Sequence, residues 1–151
     1  MNMIYSVLRI PLLWSLALAF VIFYPMLISI YVFLPLLVGV MGYVLLLGIE
    51  TNRFSYLMIP LVYFINLEVN LSLPYFLTII AALLVYVLVF RHLDMFRKCN
   101  ICRPILSVIL MDLIYLGLLV SYDYIFGTSS IVLDNILLYS LIVDLLVVVL
   151  I

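Results

Sequence analysis

Residues 104–122 read PILSVILMDLIYLGLLVSY, a run of 19 residues carrying one charge, Asp112. A hydrocarbon core about 30 Å thick takes roughly 20 helical residues per crossing, so this run predicts a membrane-spanning helix. Comparable apolar segments lie on either side of it, at about residues 5–24, 26–48, 54–71, 74–90 and 131–151. They are separated by Pro25, by the polar turn Glu50-Thr51-Asn52-Arg53, by the basic stretch 91–103 and by Gly127-Thr128-Ser129-Ser130. Pro74 opens its segment at a position favoured for a first helical turn.

Composition points the same way. Of the 151 residues, 71% are hydrophobic and 9% charged, with a mean hydropathy of +1.53. Soluble domains run at about 25% charged, so this chain has too few polar groups to cover a surface in water. It has far too much apolar surface to stay unfolded. Six basic residues and a net charge of −1 leave no basic face for nucleic acid. The expected architecture is a single all-α domain over residues 1–151, a polytopic bundle of six transmembrane helices embedded in a lipid bilayer.

Orientation follows from the positive charges, which collect on the cytoplasmic side. With six crossings and a cytoplasmic N-terminus, Arg9, Arg53, Arg91, Arg97, Lys98 and Arg103 all lie inside. The segment 54–71 is short enough to suggest a re-entrant hairpin, but that would turn the stretch 91–103 outward with four of the six bases. Six crossings with both termini cytoplasmic are therefore expected. The first segment has a basic residue and an apolar run but no small-x-small site before Pro25, and it reads as an uncleaved helix. Tyr24, Tyr56, Tyr75 and Tyr122 fall near segment ends, where interfacial aromatics belong.

Few residues offer chemistry. Carboxylates inside a span cost about 2.5–3.5 kcal/mol each on insertion scales, which singles out Asp112 and Asp144. Antiparallel packing of the last two segments brings them to similar depth, as a proton or cation site would need. A simpler reading has each hydrogen-bonded to a neighbour such as Tyr115 or Tyr139, and the lack of an intramembrane Lys, Arg or His favours it. Asn66, Glu68 and Asn70 form either a polar notch for a partner or ligand or an ordinary helix end near the outer surface. The loop with Arg91, Arg97, Lys98 and Arg103 anchors orientation and faces anionic lipid or an acidic partner. Cys99 and Cys102 have knuckle spacing, yet a structural zinc site needs four ligands and His92 alone is near. Two reduced thiols, and neither metal nor cofactor, are expected. No phosphate-binding loop, H-E-x-x-H or G-x-S-x-G is present, so no catalytic residues are assigned and the chain reads as a non-enzyme. Gly39, Gly42 and Gly48 predict close helix approach in the second segment.

The size, the six segments with cytoplasmic ends and the nearly loop-free bundle resemble the rod shape-determining MreD family of bacterial inner-membrane proteins. The stretch Ile65 to Pro74 is similar in layout to that family's third span, with Glu68 standing where the family usually has Asp. The helix 75–90, its basic exit 91–103 and the stretch Leu110 to Tyr115 also fit. The family's glycines beside its acidic residue have no counterpart between Leu61 and Leu73. The resemblance implies a non-enzymatic scaffold of cell elongation in the inner membrane. Such a scaffold binds an MreC-like protein and, through it, peptidoglycan synthases, with Glu68 and the basic loop as contacts. The alternatives are the substrate-binding membrane subunit of a vitamin-type transporter, with Asn66, Glu68 and Asn70 in its pocket, or a proton-coupled carrier using Asp112 and Asp144.

Overall fold

The computed structural model describes residues 11–31, 33–90, 99–129 and 135–150. These residues form six helices and, among them, no strand: α1 (Pro11–Ile30), α2 (Val38–Thr51), α3 (Phe54–Asn70), α4 (Leu77–Val85), α5 (Cys102–Phe126) and α6 (Asn135–Leu150). A π-helical turn, Tyr86–Phe90, prolongs α4. The all-α class is as the sequence predicts. Two helices, Leu12–Ile30 and Cys102–Phe126, are long and apolar enough to cross a membrane, and the others are shorter apolar helices.

Two boundaries differ from expectation: α4 starts at Leu77, three residues after the Pro74 expected to open it, and the first break is displaced. The sequence reading breaks the chain at Pro25, whereas α1 runs through Pro25 and ends at Ile30. The break falls beyond Tyr31, around Pro35, and α2 starts only at Val38. Proline inside a helix removes the N–H that would bond the carbonyl four residues earlier, here Val21. Asn66 of α3 compensates: its Nδ2 donates to the Ile22 carbonyl at 2.8 Å and approaches that of Val21 at 3.4 Å. Pro35 disfavours helix at the residue before it, and no helix resumes until Leu37 adopts a left-handed φ of 51°.

α2 lies at the centre, packed against α3, α5 and α6. Close approach requires its glycines. A Cβ on Gly48 would stand 2.8 Å from the Tyr56 carbonyl carbon of α3, and one on Gly39 would stand 2.7 Å from Val108 Cγ1 of α5. α2 and α5 run antiparallel, with Gly39 and Gly42 against Val108, Met111 and Asp112 at one end. At the other end Glu50 pairs with Arg103. Cys99 and Cys102 form a disulfide beside that pair, in place of the two thiols expected. Their three-residue spacing at the start of α5 sets the Cα atoms 5.4 Å apart, within bonding range.

The interior is mostly apolar but holds several polar groups, and the exterior is rich in large apolar side chains. Tyr63, Phe64, Leu67, Met111, Tyr115 and Leu119 fill the interior, but so do Glu68, Thr78, Ser107, Asp112, Ser140 and Asp144. Outward stand Leu12, Leu16, Phe23 and Ile30 of α1, Leu83 and Leu88 of α4, and Leu138, Ile142, Leu146 and Val149 of α6.

Candidate functional site

The buried polar groups gather where two helices start inside the bundle. At the first, the non-helical approach to α2 carries amides and carbonyls without helical partners, a costly condition unless side chains meet them. Four do. Tyr24 of α1 donates its hydroxyl to the Pro35 carbonyl at 2.9 Å, and Tyr63 of α3 donates to the Leu36 carbonyl at 2.7 Å. The Leu36 amide donates to Ser140 Oγ at 3.1 Å, and the Gly39 amide to Asp144 Oδ2 at 2.8 Å. Ser140 and Asp144 sit four residues apart on one face of α6, so a single stripe takes both amides of the approach. Asp144 takes the place of an N-cap, since Leu37 makes no side-chain cap bond.

Asp112 of α5 joins Asp144 there. The position a Gly39 Cβ would take lies 2.9 Å from Oδ2 of each aspartate, so those oxygens are no farther apart than twice that distance. Asp144 is 0% and Asp112 4% exposed. The Val40 amide also faces Asp144. Asp112 Oδ2, Asp144 Oδ1 and the Tyr115 hydroxyl have no hydrogen-bond partner. Tyr115 thus does not cap Asp112, the arrangement the simpler sequence reading offered.

The second start is that of α4. Glu68, 1% exposed, accepts the Phe76 amide at 2.7 Å on one carboxylate oxygen. Its other oxygen accepts the Thr78 amide at 2.9 Å and the Thr78 hydroxyl at 2.6 Å. Both oxygens thus face the positive end of α4. Asn66 turns instead to α1, as described above, and is held by Asn70, whose Nδ2 donates to Asn66 Oδ1 at 2.7 Å and to the Asn66 carbonyl at 2.8 Å. Asn66 and Asn70 therefore form one unit, and Glu68 belongs to another.

The two starts share a pattern with a shift of 39 residues. Pro35 and Pro74 are each followed two residues later by a left-handed residue, Leu37 at φ 51° and Phe76 at φ 65°. Two residues further on, the amides of Gly39 and Thr78 are each bound by a carboxylate from another helix. Tyr24 and Tyr63 are related by the same shift, as are Leu34 and Leu73. The few identities are too sparse to register as a repeat in the sequence.

Of the basic loop, Arg103 is described and pairs with Glu50, while Arg91, Arg97 and Lys98 lie outside the described residues. Among the described residues no three His, Cys, Asp or Glu side chains converge as a metal site would require. Sequence reasoning missed Tyr24, Tyr63, Ser140 and Thr78. The one signal available was for Ser140: Ser140-x-x-x-Asp144 is a polar pair at helical spacing in an otherwise apolar run. No protein-family model, no curated protein and no solved structure matches this chain.

Proposed function

We propose that this chain is a six-span inner-membrane protein with both termini cytoplasmic. We further propose that it acts as a non-enzymatic scaffold of the bacterial cell-elongation machinery, in the manner of the MreD family. The observation that carries the reading is the use of the interior polar groups. Asn66, Glu68, Asn70, Ser140, Tyr24 and Tyr63 all bond to the chain itself, while the helices turn leucine, isoleucine and phenylalanine outward. A ligand-binding subunit needs several polar groups converging on an open pocket, and here Asn66 and Glu68 serve different helices.

Six crossings are compatible with the short helices. α2, and α4 with its π turn, each span 14 residues, about 21 Å of helix. The non-helical approaches ending at Leu37 and Phe76 supply the remaining depth. Irregular backbone at that depth is tolerated only where protein satisfies it, and side chains do so at both places. The Glu50–Arg103 pair joins the two segments that charge bias assigns to the cytoplasm.

The test is co-purification of the tagged full chain from its own membranes in mild detergent. An MreC-like protein or peptidoglycan synthases should accompany it. Recovery of an ATPase with a coupling membrane subunit would overturn the scaffold in favour of a transporter.

A further inference from the structure

The Asp112–Asp144 pair does nothing in that scaffold reading. Asp144 caps α2 through one oxygen, but its other oxygen and Oδ2 of Asp112 are buried without a partner. The positive end of a helix is equivalent to about half an elementary charge, enough to offset part of one carboxylate. It does not offset two.

Among the described residues nothing else nearby neutralises the second. From α1 and α3 the facing titratable groups are the hydroxyls of Tyr24 and Tyr63, both already donating to carbonyls. α6 adds Ser140, whose oxygen accepts from Leu36, and α4 carries neither a carboxylate nor a base. The bases among the described residues, Arg53 and Arg103, are at the opposite end of α2. Glu50, which pairs with Arg103, is eleven residues from Gly39, about 16 Å along the helix. A metal ion is disfavoured by the same geometry, because the groups lining the site besides the carboxylates are the Gly39 and Val40 amides, which point positive charge inward.

We infer that Asp112 and Asp144 form a proton-binding site inside the bundle, the two carboxyls holding one proton between them against the first turn of α2. The proton joins α5 to α6 at the point where α6 grips the approach to α2. Its loss places two like charges at that joint. The site requires no particular partner, so it stands apart from the scaffold proposal.

Infrared spectroscopy of the full chain in lipid nanodiscs tests it, since a protonated carboxyl has a carbonyl band that a carboxylate lacks. A band equivalent to one carboxyl per chain is expected at neutral pH, disappearing on alkalinisation. It should be lost in Asp112→Asn and in Asp144→Asn, with helical circular dichroism retained, and kept in Glu68→Gln. Either Asn variant suffices if the other fails to fold. Absence of the band in the unaltered protein would overturn the proposal. So would its survival in an Asn variant that folds, its loss in Glu68→Gln, or its removal by sodium chloride at constant pH, which would mark a metal site.

Discussion

Glu68 shows how a single side chain can be legible in kind and not in role. An acidic residue among apolar ones announces itself by its insertion cost, and so did Asp112 and Asp144. The sequence could not say that Glu68 reaches eight and ten residues ahead to hold the start of α4, because capping from outside the helix has no fixed spacing. The role predicts the consequence. Glu68→Ala leaves two amides and a hydroxyl unpaired in the interior, a loss on the order of 3 kcal/mol. Glu68→Gln, which keeps one acceptor, should lose less than half of that. Reversible unfolding in mixed micelles measures both, and equal losses would show that Glu68 acts through packing alone. Gly48 is the steric counterpart. Gly48→Ala would drive a Cβ into the Tyr56–Leu57 backbone, and destabilisation of about 1–3 kcal/mol is expected by the same assay. A neutral result would mean that α2 and α3 can separate freely.

At the scale of the element, the hydrophobic runs located all six helices, and the prolines were harder to read. Pro25 and Pro35 look alike in sequence, ten residues apart in one long apolar stretch. What separates them is a residue some forty positions away: Asn66 reaches the Val21 carbonyl that Pro25 leaves open and the adjacent Ile22 carbonyl, so the helix survives there. The chain leaves helical geometry near Pro35, where two tyrosines and a serine receive its backbone. Such tertiary compensation is invisible to periodicity. It does make a coupled prediction. Asn66→Ala should destabilise the protein by about 1 kcal/mol. The same change in a Pro25→Ala background, where residue 25 regains an N–H for Val21, should have less than half that effect. Equal effects in both backgrounds would show that Asn66 and Pro25 are independent.

For the whole molecule, the apolar exterior and the few buried carboxylates link composition to the proposed placement. A chain that turns leucine outward on α1, α4 and α6 while burying Glu68, Asp112 and Asp144 is arranged for a medium that solvates hydrocarbon and rejects carboxylates. The composition points to that medium, and the charge bias predicts a direction. The proposed order of crossings is a sharper claim, because α2 and α4 are shorter than a bilayer core and would need their non-helical approaches to reach through it. Single cysteines tested for accessibility in a Cys99→Ser, Cys102→Ser background decide it. Positions 52 and 100 should react with an impermeant thiol reagent only when the cytoplasmic face is opened. Positions 72 and 128 should react from the outside in intact cells. If position 72 instead reacts from the cytoplasmic side, α3 turns back without crossing, the chain has fewer than six spans, and the segment carrying Arg103 faces outward against the charge bias. The Glu50–Arg103 pair argues against that outcome, since it ties the end of α2 to the start of α5 on one side of the bundle.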